Sequence, residues 1–159
     1  MNQNSRRSFL KALSATAPAV GVLGAAHVAA AEEKKPGRRV VPGSPSPNYS
    51  RAVIFDRLVY VAGVLGTKPG TRELASPDFE PQCRQVLENL KASVEAAGST
   101  FAHVLKCTCF LTDAADFATF NKVYVTFFPA DPPARSTVIV KALVLPDAKV
   151  EVDCVAGLP

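Results

Sequence analysis

Histidine is nearly missing from this chain, with two among 159 residues, His27 and His103. A Ser-His-Asp relay therefore has little to draw on, and no phosphate-cradling Gly loop or dinucleotide fingerprint takes its place. Long, strongly apolar runs are also lacking. The nearest, Ala12 to Ala31, is Ala-rich and broken by Pro18, Gly21, Gly24 and His27, short of the roughly 20 strongly apolar residues that a membrane span needs. Internal repeats and low-complexity tracts are absent from the rest.

What the first 31 residues do hold is a pair of arginines. Ser5-Arg6-Arg7-Ser8-Phe9-Leu10-Lys11 is a basic segment, followed by the weakly apolar run and by Ala29-Ala30-Ala31 before Glu32-Glu33. This pattern predicts a twin-arginine export signal over 1–31 with a small-residue cleavage site, and a periplasmic or secreted mature chain without stable membrane association. A Sec signal and an uncleaved anchor are the alternatives, the second opposed by the broken apolar run.

The formal charge of +4 belongs largely to this leader. Without 1–31 it falls to +1, and over 48–159 it is −1, so the basic balance is no argument for a nucleic-acid partner. Residues 32–47, EEKKPGRRVVPGSPSP, predict a solvated, unstructured linker. Residues 48–159 suffice for one compact domain.

Within that domain, Ala52 to Phe55 and Leu58 to Ala62 read as strands joined by a turn at Asp56-Arg57. Gly63 to Ser76 reads as a loop. A helix begins near Asp78, with Phe79, Cys83, Val86, Leu87, Leu90, Val94 and Ala97 on one face and Gly98 as its stop. Val104 to Leu111 predicts a strand. Phe117, Phe120, Tyr124 and Phe127 then recur at helical spacing before Pro129. Ser136 to Leu143 and Lys149 to Val155 predict two final strands around Pro146-Asp147. The expected class is α+β, with two helices on one face of a four- to five-stranded sheet. The other face needs cover, which suggests an oligomer.

Four cysteines in an exported chain raise the possibility of disulfides. Cys83, Cys107, Cys109 and Cys154 all fall at apolar positions, which favours buried free thiols. A metal site is a third option, but Cys107, Cys109 and His103 lack the usual ligand spacing.

Two groups remain as candidates for chemistry. In Pro132-Pro133-Ala134-Arg135-Ser136-Thr137-Val138 the prolines fix a loop and deliver Arg135 to the start of a β-branched strand. Its guanidinium is a stiff, permanently charged fork suited to a carboxylate, or else half of a surface ion pair. In Lys149 to Cys154, alternation places Glu151 and Asp153 on one strand face. They either face water or, in an interface pocket beside Arg135, orient an attacking water.

Asn48-Tyr49-Ser50, Gln85 to Lys91, Val94 to Gly98, Phe110-Leu111-Thr112-Asp113, Asn121 to Tyr124, Phe128-Pro129, Pro132 to Val138 and Val150-Glu151-Val152 together resemble the Rid family, also called YjgF-like or endoribonuclease L-PSP-like proteins. The resemblance runs from about Ser46 to Ala156. It implies a chorismate-mutase-like fold and a homotrimer with sites in the clefts between subunits. It further implies cofactor-free and metal-free hydrolysis of 2-imino or enamino acids to a 2-oxo acid and ammonia. By position, Arg135 is implied to grip the substrate carboxylate and Glu151 to orient water. Tyr49 is implied to wall the pocket, Asn121 to be a polar neighbour, and Gly63 to keep the backbone close to the ligand. Thr137 stands where some deaminating members have Cys. Val64 replaces a polar pocket group and the turn Thr67 to Arg72 is rewritten, which implies a different small carboxylate as substrate, or a pocket that binds one without turnover. The RNA-cleaving role attached to part of the family fits poorly with a near-neutral domain.

Overall fold

The computed structural model describes residues 37–44 and 46–159; the leader expected at 1–31 and the start of the linker lie outside them. Alternating apolar residues build the strands β1 (Arg38–Val41), β2 (Ala52–Phe55), β3 (Leu58–Leu65), β4 (Val104–Leu111), β5 (Ala134–Ile139) and β6 (Val150–Gly157). Apolar residues at 3.6-residue spacing build α1 (Phe79–Ala96) and α2 (Phe117–Phe127). One mixed sheet results, in the order β1-β2-β3-β6-β4-β5. Every pairing is antiparallel except β4 with β5, because α2 carries the chain between these two as a crossover.

The β2–β3 turn falls at Asp56, whose φ is +54°, and pairs Phe55 with Leu58. α1 starts after Asp78, which occupies the N-cap position without a side-chain cap bond. Pro81 sits harmlessly in the first turn, where its missing N–H has no helical partner to lose. At the other end Gly98 adopts φ +83° and Ser99 N donates to Val94 O at 3.2 Å, closing the last turn.

Several expectations require correction. Arg38–Val41 lies in the stretch read as unstructured, yet it pairs with β2 and buries Val41. Two β-branched valines beside an otherwise unpaired strand edge outweigh the surrounding Pro, Gly and charge. β3 continues to Leu65 across a register shift between Val61 and Val64, so the loop starts later than Gly63. β5 begins at Ala134 and ends at Ile139, and β6 runs on to Gly157. Phe117, placed on the buried face of its helix, is instead exposed.

Both helices cover the same face of the sheet. Val59, Val61, Cys107, Cys109, Leu111, Val150, Val152, Cys154 and Ala156 point into the core beneath them, where α1 contributes Phe79, Cys83, Val86, Leu87, Leu90 and Val94. All four cysteines are free and buried. Burial pushes the Cys83 and Cys109 thiols up to about 12 and raises Cys107 and Cys154 as well. The other sheet face has no cover among the described residues. There the register lines up Val40, Val53, Tyr60 and Val155 across four strands, and Val40 and Tyr60 are each nearly half exposed.

Candidate active site

Arg135 and Thr137 pair with Cys107 and Cys109 on the neighbouring strand. Since both cysteines are buried under the helices, Arg135 and Thr137 share the helix-covered face. α2 meets them with residues spaced by three, four and seven positions, which places one helix face over β5. Asn121 Oδ1 accepts from Arg135 Nη2 at 2.8 Å. The guanidinium carbon lies 4.6 Å from the Tyr124 ring centroid, 5.2 Å from that of Phe120 and 5.8 Å from that of Phe117. Three aromatic faces and an amide thus hold the fork in place. Among the described residues no carboxylate pairs with it, so the surface ion pair considered for Arg135 is not what the fold builds. Thr137 Oγ1 beside it is buried without a hydrogen-bond partner among the described residues. The Tyr124 hydroxyl is pushed above its usual range by burial and then by the adjoining Cys107.

Glu151 belongs to the opposite face. It is paired with Phe110 on β4 and Leu65 on β3, out of phase with the buried Val150 and Val152. The irregularity in β3 brings the Gly63 backbone against its carboxylate. A Cβ on Gly63 would overlap Glu151 Oε1 and stand 3.0 Å from Cδ, so the absence of a side chain at Gly63 is what leaves room for the acid. Half-burial raises the Glu151 carboxyl above the usual range, and Asp153, two residues along the same face, raises it further. A carboxyl raised in this way holds a proton more readily than a free one, which suits it to proton exchange.

The site residues therefore fall into two half-sites within one chain. Arg135, Asn121 and Thr137 are together on the helix side, and Gly63 and Glu151 on the uncovered side. Tyr49 precedes β2 on an exposed turn, its carbonyl accepting from the Ser44 hydroxyl. Val64, expected in the pocket, pairs with Val152 and packs against the core, so it does not share the face of Glu151. The aromatic flank of Arg135 was missed as a site feature. Its signal was present, because Phe117, Phe120 and Tyr124 bracket Asn121 on one helical face.

A six-stranded mixed sheet with two helices on one face defines the chorismate-mutase-like α+β class. The profile of the endoribonuclease L-PSP family matches residues 42–158, and the chain belongs to that family, the Rid proteins. Among its relatives, Reactive Intermediate Deaminase A, chloroplastic, of Arabidopsis thaliana is 44% identical over 110 residues, which are 69% of this chain and 58% of that protein; the match thus spans somewhat over half of the plant protein's length. The 2-iminobutanoate/2-iminopropanoate deaminase of Rattus norvegicus is 36% identical over 123 residues, 75% of this chain and 89% of that one. The crystal structure of E. coli TdcF with bound serine superposes with a TM-score of 0.69 at 36% identity, covering 76% of this chain and 99% of that chain.

Proposed function

We propose that the protein is a hydrolytic deaminase of 2-imino and enamino acids, working at sites formed where copies of the chain meet in a homotrimer. The observation that carries this reading is the pair of half-sites. A caged guanidinium with no carboxylate partner among the described residues lies on one sheet face, and a carboxyl of raised pKa lies on the other. A second copy is the means of joining them, and the uncovered apolar ladder supplies a surface for it. The names of the plant and rat relatives support the activity, and serine bound to the E. coli structure supports a small carboxylate as ligand.

In this mechanism Arg135 holds the substrate carboxylate in a two-point pair, and Asn121 keeps the fork oriented. Glu151 takes a proton from water as the oxygen bonds to the carbon of the protonated imine, giving a neutral carbinolamine. Glu151 returns that proton to the amine nitrogen, the C–N bond breaks to release ammonia, and the hydroxyl proton passes to solvent, giving the 2-oxo acid. No redox change occurs. Because an imine is already electrophilic, positioning and one proton exchange suffice. We also infer delivery outside the cytoplasm through the twin-arginine route, on the strength of Arg6-Arg7 and the Ala29 to Ala31 end of the leader.

Ammonia release from 2-iminopropanoate, generated in place by an amino-acid oxidase, tests the activity. Acceleration is expected, with kcat/KM reduced roughly ten- to a hundredfold in Arg135→Ala, as loss of a charge-assisted pair worth about 1.5–3 kcal/mol implies. No acceleration by the unaltered protein would overturn the reading.

A further inference from the structure

Gln82 is a polar residue inside the apolar face of α1, and it is fully buried. Its amide is bonded at both ends. Nε2 donates to Ser76 O at 2.9 Å and to Asp147 O at 3.1 Å, while Oε1 accepts from Lys149 N at 2.9 Å. Asp147 has φ +62°, so the amide fastens a left-handed turn at the point where the chain enters β6. Two helical turns further along, Asn89 donates through Nδ2 to Leu65 O and to Thr67 O, each at 2.8 Å. Its own Oδ1 accepts from Gln85 at 3.0 Å.

These bonds enclose Glu151 from two directions. Lys149, held by Gln82, lies two residues before it, immediately ahead of β6. Leu65, held by Asn89, is its partner across β3. The two anchors also meet through Gly66, where an added Cβ would come within 2.5 Å of the Gln82 carbonyl oxygen. The end of β3 is thereby pressed onto the same turn of α1 that ties down the start of β6. Gly63, whose lack of a side chain admits the Glu151 carboxylate, lies two residues before Leu65.

We infer that Gln82 is a positioning residue for Glu151, holding the entry to β6 in the register that sets the carboxylate against Gly63, with Asn89 holding the facing strand. The inference deepens the deaminase reading and rests on it for its kinetic consequences. A fully buried amide with three bonds to backbone groups on two separate segments is expensive to break, since the Gln82 side chain is itself out of reach of water and the two segments lose their common tie. A misplacement of about 1 Å at a catalytic group is enough for a loss on the order of 100-fold.

The test compares the full-length protein with Gln82→Met, which keeps the volume and removes the amide, and with Asn89→Ala, which loosens only the β3 side and is less deeply buried. Two readouts are taken: steady-state kcat and KM on 2-iminopropanoate, and titration of the Glu151 carboxyl by carbon-detected NMR, assigned with Glu151→Gln. The expected result is a kcat at least about tenfold lower with KM changed less than about twofold, together with a displaced Glu151 titration. Asn89→Ala should move both readouts the same way by a smaller amount, and it stands as the test if Gln82→Met does not fold. A merely structural role would lower thermal stability and leave kcat per folded molecule and the titration unchanged, and that result overturns the inference. If the unaltered protein shows no turnover but Gln82→Met still displaces the titration, the positioning role stands and the deaminase reading fails.

Discussion

Gly63→Ala separates placement of Glu151, the proposed proton-exchanging group, from stability of the fold. The added methyl would overlap Glu151 Oε1 and approach Cδ to 3.0 Å and Cγ to 3.3 Å. All three atoms belong to one flexible side chain, so the carboxylate swings aside while the strands keep their pairing. The move costs an off-rotamer strain of about 0.5–1.5 kcal/mol. Replacing glycine in the unfolded chain returns about 0.4–1 kcal/mol. Net stability should change by less than about 1 kcal/mol. The carboxylate, however, is displaced by roughly 1 Å from the position in which it meets water, which costs on the order of 100-fold in rate, or about 2.7 kcal/mol of transition-state stabilisation. The assay is kcat for ammonia release beside a urea unfolding curve on the same preparation. A Gly63→Ala protein with near-normal unfolding midpoint and near-normal kcat would refute the placement of Glu151 against Gly63 as the source of its activity.

Other outcomes follow from the same geometry. Glu151→Gln should gain stability relative to the unaltered protein as pH rises from about 4 to about 8: the raised carboxyl pKa means the folded state resists ionisation, so the native protein loses stability as pH rises through that pKa and the amide does not. Thermal midpoints across pH measure this, and identical pH dependence of the two proteins would contradict it. The four thiols, buried and held well above their usual pKa, should resist an aromatic disulfide reagent at pH 8 in the native protein and all react in denaturant; rapid native labelling would contradict the core placement. A reporter that must fold before export, fused after Ala31, should reach the periplasm and fail to do so when Arg6 and Arg7 are both changed to Lys; export that survives the change would point to another route.

The order of strands and helices was legible because alternation in Lys149 to Cys154 and the heptad-like spacing from Phe79 to Val94 are local signals that the core reinforces. β1 was not legible. Four residues among prolines and charges carry little periodicity, and their pairing depends on a free β2 edge that only the folded sheet provides. The two candidate groups were legible as residues, Arg135 from its proline-fixed loop and Glu151 from its strand alternation. Their separation onto opposite faces was not. β5 contains no fully buried residue, so its sequence lacks the in-and-out contrast that would assign a face to Arg135. Only the parallel register with Cys107 does that. Gln82 escaped notice because it lies beside Phe79, Cys83 and Val86 on an otherwise apolar stripe, and a single polar residue there declares itself only when its partners at Ser76, Asp147 and Lys149 are seen to converge.

The most direct measurement of the central claim is complementation between two impaired variants. Arg135→Ala and Glu151→Gln are purified separately, denatured and refolded together in equal amounts, and assayed for ammonia release. Sites that take the guanidinium from one copy and the carboxylate from its neighbour predict recovery of about one quarter of the unaltered activity on random mixing, since each interface draws an intact partner from both sides in about one case in four. A mixture no more active than its two components would contradict a site built between copies of the chain.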